Sequence, residues 1–254
     1  NLKNMFMKQV KFFLVALMAV VMGMSVTSCM GDGENDPTVQ TGDVVRANMA
    51  GSFTDRNGMK LVPASPSYLT GDMYFVNFQY DSSTITANST SVDITLLSTP
   101  SCIDGESVES VEKEPNVAIC GFSTSYIVPF LFDNYTLVIP FYFWTKNVSG
   151  TELETEIAKH KFILSYDREA LKEGDTELDL YLTDNLDDTD LKREVYTGMY
   201  RAYNLRGAIA DFENITKTKL TKINLRAKTN SNSNSLTENV TDAKVSLEYK
   251  SNKE

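Results

Sequence analysis

Along most of the chain, apolar positions come in short runs rich in β-branched and aromatic residues, broken by Gly, Asn, Asp and Pro. The clearest are Met73–Tyr80, Val92–Leu97, Val117–Phe122, Tyr135–Trp144, His160–Tyr166, Leu178–Leu182, Lys222–Ala227 and Ala243–Tyr249. LDLYL and AKVSLEY alternate with period two, as strands with one wet face do. YTLVIPFYFW reads as continuous burial, with Pro140 imposing a bulge or edge that uncovers part of it. Helical spacing recurs only at Ile209–Thr216, where Ile209, Phe212 and Ile215 share a face, and weakly at Leu153–Lys159. DRNG (Asp55–Gly58) and the NSNSN tract, Asn230–Asn234, carry hairpin and loop chemistry. The pattern predicts an all-β protein without internal repeats.

The stretch DGESVESVEKEP, Asp104–Pro115, is acidic, poor in apolar residues and closed by a proline. It reads as a linker or long surface loop, and the flanking lengths suit a small barrel and a sandwich.

The N-terminus has a different pattern. From Met7 to Ser28 come two lysines, an apolar stretch and small hydroxylated residues, the order of a secretory signal. The apolar stretch, roughly 13 residues, falls short of the ~20 that a membrane-spanning helix needs. Val26-Thr27-Ser28-Cys29 resembles a relaxed bacterial lipobox, which implies that Cys29 becomes the acylated N-terminus, because two or more acyl chains anchor stably. Asp32, Glu34 and Asp36 follow in a segment unable to bury apolar surface. They read as a solvated tether, or more sharply as a surface-export signal, which acidic residues just behind a lipidated cysteine resemble. Either way the folded part lies outside the cytoplasm.

Charge narrows the partners. The chain has 24 Lys and Arg, and setting aside Lys3, Lys8 and Lys11 of the signal leaves 21 against 34 acidic residues, a net −13. Such a surface repels phosphate backbones and argues against nucleic acid. The membrane is expected as a partner only through lipid on Cys29.

Candidate chemistry is thin. Cys102 and Cys120 could form a disulfide in an oxidising compartment or stay as two unpaired thiols, and no Cys/His grouping suggests zinc. His160, the only histidine, lies between Lys159 and Lys161, which would tend to keep it neutral. No nucleophile motif accompanies it, so it reads as a structural or exposed residue. Asp184–Asp190 (DNLDDTD) lacks the alternation that converges on calcium and reads as a solvated turn. No metal or cofactor is expected, and no catalytic constellation is present, so the reading is of a non-enzyme. Two aromatic platforms are conceivable: Tyr135–Trp144, better read as a core strand, and Tyr196, Tyr200 and Tyr203 with Arg201 and Arg206.

The order of NMAGSFTDRNGMKLVPASPS, TGDMYFVNFQYD, SVDITLLS, NYTLVIPFYFW, HKFILSYD, GDTELDLYLTDN and KINLRAK behind a lipoprotein signal resembles the NigD-like lipoproteins of Bacteroides and Prevotella. The resemblance implies a small OB-like β-barrel followed by a β-sandwich domain. The expected division is a signal peptide over 1–28, a lipidated acidic tether over 29–40, an OB-like domain over 41–112 and a sandwich over 113–252. It attaches no catalytic residues. The expectation is an outer-membrane lipoprotein, at the cell surface or the periplasmic face, that binds an unidentified protein or glycan. The family's link to a bacteriocin locus gives the alternative of an immunity or stress-protection lipoprotein, and an envelope hydrolase comes third.

Overall fold

The computed structural model describes residues 37–65, 69–123 and 127–250. The signal over 1–28, Cys29 and the acidic Asp32, Glu34 and Asp36 lie outside the described residues. The chain divides into two compact units, one ending at Asp104 and one beginning at Gly105.

The first unit contains β1 (Thr38–Ala47), β2 (Phe53–Thr54), β3 (Lys60–Pro63), β4 (Met73–Asp81), β5 (Ser91–Leu96) and β6 (Ser101–Cys102). The strands run in the order β1-β2-β3-β5-β4, and β4 pairs back onto β1, so the sheet closes into a five-stranded, OB-like barrel. The closing ladder is antiparallel from Thr38↔Asp81 to Arg46↔Met73, whereas β3 and β5 run parallel. The alternation in β5 sends Val92 and Ile94 inward to meet Val45, Phe53, Leu61, Val76 and Phe78. In the DRNG turn, Asp55 Oδ1 accepts from Asn57 N (2.8 Å) and Met59 N (2.7 Å), and Gly58 supplies φ +85°. β1 lies almost wholly outside the expected strands, because Gly42 and Asp43 interrupt its apolar pattern. Gly42 sits where the Phe75 ring crosses the strand, and a Cβ there would lie 2.7 Å from Phe75 Cζ.

The second unit contains β7 (Gly121–Phe122), β8 (Phe130–Leu131), β9 (Thr136–Thr145), α1 (Thr151–Ile157), β10 (His160–Ser165), β11 (Glu177–Leu186), β12 (Val195–Asn204), α2 (Arg206–Thr216), β13 (Lys222–Thr229) and β14 (Thr241–Glu248). One sheet runs β12-β9-β7 with β8 also on β9, the other β10-β11-β13-β14. Their inner faces share one core that includes Leu137, Ile139, Phe141, Phe143, Leu164, Leu180, Tyr203 and Ile223, closed by Ile209 and Phe212 of α2. This is a β-sandwich, and the whole chain is all-β in class.

Three details differ from expectation. Gly105 N donates to Ala202 O (2.7 Å) and Glu109 N to Leu164 O (3.0 Å), so the start of the acidic stretch belongs to the sandwich. The contact boundary therefore falls at Asp104, ahead of the division expected after residue 112. Residues 117–122 form only the short β7, because Val117 bridges to Asp184 and Ile119 to Thr229 on the opposite sheet. Pro140 produces no uncovered edge, and β9 is buried throughout except for the half-buried Tyr142. Pro140 O accepts from Ser123 N (3.0 Å). In an antiparallel ladder the N–H and C=O of a residue face the same neighbour. The missing N–H thus points to the junction between β7 and β8, and the β12 ladder is intact.

Candidate functional site

The period of β1 places Thr41 and Asp43 on the same inward face as the core residue Val45. On β4, Phe78 and Tyr80 continue the inward face of Val76, with ring centroids 6.0 Å apart and planes tilted by 35°. Above them stand the β2–β3 turn, with Asp55, Asn57 and Met59, and the β4–β5 connection, with Ile85, Ser89 and Thr90. Together they enclose a cavity of about 420 Å³ in the mouth of the barrel, floored by Leu61 and Val92.

Two carboxylates line this cavity. Asp43 Oδ1 accepts from Val44 N at 2.8 Å, and Asp55 Oδ1 is held by the two turn amides. Neither Oδ2 accepts a hydrogen bond among the described residues. Burial pushes the Asp43 carboxyl up to about 6, the Val44 amide opposes that rise, Asp55 adds to it and Arg56 reduces it. An apolar concavity with a few oriented polar groups is the usual form of a ligand site. A cavity of similar size in the sandwich, about 410 Å³ beside α2, differs in one respect. Its tyrosine and its carboxylate are already committed, since Tyr166 Oη and Arg168 Nε both donate to Asp211 Oδ2 (2.8 and 3.0 Å).

A second set of ionisable groups lies at one end of the sandwich. Arg193, whose side chain is fully buried, donates to Glu156 and to Asp188 Oδ2 (3.0 Å). Asp188 also takes Lys159 at 2.9 Å and Lys146 at 3.6 Å. The hydrogen bond from Lys159, the Asp190 amide and Arg193 hold the Asp188 carboxyl well below the usual range. The aspartate run is therefore only in part a solvated turn: Asp187 and Asp190 are exposed, but Asp184 is 1% exposed on β11, and Asp188 is the hub of an ion network. Lys159 and Lys161 pair with Asp188 and Glu106, and the ring of His160 instead meets the Asp184 carboxylate, with Nδ1 at 2.9 and 3.1 Å from its oxygens. His160 Nε2 has no hydrogen-bond partner among the described residues, its nearest charged atom being Glu156 Oε1 at 3.9 Å. A carboxylate–imidazole pair of this kind resembles part of a hydrolytic triad, but no hydroxyl or thiol is bonded to Nε2 and no solvent reaches the ring.

The remaining sequence candidates are dispersed. Cys102 is an exposed thiol on β6, directed at Asp104 Oδ2 (3.6 Å). Cys120 is a half-buried free thiol of the other unit, its pKa raised by burial. Trp144 belongs to the core strand at 6% exposure, and its Nε1 donates to Asn230 O (3.0 Å). Tyr196, Tyr200, Tyr203, Arg201 and Arg206 form no single patch. Tyr203 is in the core with its hydroxyl on Phe162 O (3.1 Å), and Arg206 stacks on the Tyr135 ring at 4.1 Å. No group of metal-ligating side chains occurs among the described residues, nor any helix long and apolar enough to cross a membrane. Sequence reasoning missed Asp43, whose one signal is an acid two positions ahead of a core valine in a strand.

No protein-family model matches the sequence, and no curated protein matches it. Among solved structures, a candidate lipoprotein from Bacteroides fragilis is 28% identical, with 84% of this chain and 100% of that one covered and a TM-score of 0.78. A protein of unknown function from Bacteroides vulgatus, 12% identical over 82% of this chain and 90% of its own with a TM-score of 0.50, shares the fold alone. A NigD-like immunity protein from Bacteroides caccae, 13% identical over 80% and 90% with a TM-score of 0.48, is too distant to carry an argument. The Bacteroides fragilis match covers most of both units, and with it the chain is consistent with the NigD-like lipoproteins that its sequence resembles.

Proposed function

We propose that this chain is a non-enzymatic lipoprotein of the outer membrane, anchored by lipid on Cys29 and displayed at the cell surface or the periplasmic face, whose N-terminal barrel binds a ligand in its mouth. The anchor rests on the lipobox-like Val26–Cys29 and on the likeness to a candidate lipoprotein. The binding role rests on one observation: an aromatic-walled cavity of about 420 Å³ into which two oriented carboxylates bring an uncommitted oxygen. A concavity of this size fits a glycan unit or a single side chain of a peptide better than a flat protein face.

Three measurements test the reading. Labelled palmitate should enter the wild-type chain and not Cys29→Ala, and labelling of both removes the anchor. Protease shaving of intact cells, with a variant neutralising Asp32, Glu34 and Asp36, separates display at the surface from retention inside. For the binding role, small glycans and short peptides titrated into the isotope-labelled full chain in detergent should move the amides of Val44, Asn57 and Met59. Ligands that act only elsewhere would refute the barrel-mouth site.

A further inference from the structure

The lining of the barrel mouth is one-sided in charge. Its carboxylates are Asp43 and Asp55, and no lysine or arginine lines it among the described residues. Each carboxylate is fixed through Oδ1 by backbone amides, so the direction of Oδ2 is set before any ligand arrives. The same lining includes the Phe78 and Tyr80 rings, and aromatic faces attract cations and cover methylene or sugar carbons. A partly buried carboxylate without a partner is unfavourable, and a cation that enters with its own hydrogen-bond donors relieves it.

We propose, resting on the barrel-mouth reading above, that the ligand is a small organic ammonium, with its N–H groups on Asp43 and Asp55 and its carbon body on Phe78 and Tyr80. Anions are rejected by the same two carboxylates. Inorganic calcium fits poorly, because it needs six to eight oxygens and half of this lining is apolar. A volume of about 420 Å³ holds a body of monosaccharide size.

The site predicts its own pH dependence. Binding needs Asp43 ionised, and the other charged groups that act on it are Asp55 and Arg56 of the β2–β3 turn. With its carboxyl at about 6, ionisation and affinity rise about tenfold between pH 5 and pH 7.

The test uses the isotope-labelled full chain in detergent, titrated at pH 7 with glucosamine, N-acetylglucosamine, n-butylamine and calcium chloride. Glucosamine or n-butylamine should shift Val44, Asn57 and Met59, with N-acetylglucosamine weaker by about tenfold or more, since a charge-assisted contact is lost. Asp43→Asn should weaken the amine by a similar factor while leaving the spectrum of the sandwich unchanged. Stronger binding of glucosamine than of n-butylamine assigns the ammonium to an amino sugar, and the reverse to a simple amine. Equal binding of glucosamine and N-acetylglucosamine, unaffected by Asp43→Asn, overturns the ammonium and leaves the barrel-mouth site standing. Calcium that shifts the same amides at lower concentration than either amine overturns it in favour of a metal. Silence of these amides towards every probe overturns the ammonium and the site together.

Discussion

His160 Nδ1 lies 2.9 Å from Asp184 Oδ2, and each of these side chains is 1% exposed. Phe143 meets the imidazole edge-on at 4.8 Å and Phe162 stacks on it at 5.8 Å, so the pair sits in an apolar slot where neither group has water to turn to. Burial raises the Asp184 carboxyl, and His160 opposes that rise. Removing one member strands the other, which in buried pairs costs about 3–5 kcal/mol. Asp184→Ala should lose stability of that order in urea denaturation, while Asp184→Asn, which keeps a hydrogen-bonding oxygen toward Nδ1, loses less.

Arg193 and Glu156 make the same point with a control. Both are buried, and Glu156 Oε1 also accepts from Lys146 N at 3.2 Å. Arg193→Ala should cost about 3 kcal/mol by leaving that buried carboxylate only the Lys146 amide and the half-buried Lys159, 3.5 Å from Oε2. Arg193→Met combined with Glu156→Gln should recover most of the loss, so a double-mutant cycle by denaturation should show strong coupling.

The two units should respond to pH with opposite signs. Asp43 holds its proton more tightly folded than unfolded, about 6 against 3.8, so the folded state carries more protons between these values. Stability of the barrel therefore falls as pH rises from about 4 through 6. Asp43→Asn should remove that fall and gain about 1–2 kcal/mol at pH 7.5 after solvent screening, with no gain at pH 3.5. Asp188 is depressed by Lys159, the Asp190 amide and Arg193, so its contribution to the sandwich is present above the ordinary carboxylate range and is lost as pH falls through the lowered value. Thermal melts from pH 8 down into acid well below the ordinary carboxylate range check both.

Trp144 is the sole tryptophan, and its ring is buried with Tyr196 edge-on at 6.2 Å. Its emission should be blue-shifted and shielded from acrylamide. Tyr196→Ala should shift it to the red and raise quenching, which reads out the sandwich without any label.

The long β4 and β9 were legible because dense β-branched and aromatic runs leave few alternatives, whereas β11 was legible only over Leu178–Leu182, its acidic second half having the look of a turn. β12 was not, since VYTGMYRAYN mixes Gly198, Arg201 and Asn204 into its pattern, and the ladder to β9 outweighs that local signal. α2 was read nearly to its ends from the spacing of Ile209 and Phe212, both of which the core buries. The ion network was hidden for another reason. Glu156, Asp188 and Arg193 look like surface residues one at a time, and only the meeting of α1 with the segment after β11 withdraws them from water. The barrel mouth was equally hidden, because its parts come from β1, the DRNG turn, β4 and the β4–β5 connection.

β1 is also the seam that closes the barrel, and its pairing with β4 starts at Thr38. Any tension on the chain ahead of Thr38 is borne first by that ladder, one rung after another from Thr38↔Asp81 inward. Thr41 and Asp43, on the same strand, are among the next residues to feel it. A pull applied at Thr38 is thus delivered to the wall of the cavity before it reaches Val45 and the core behind it.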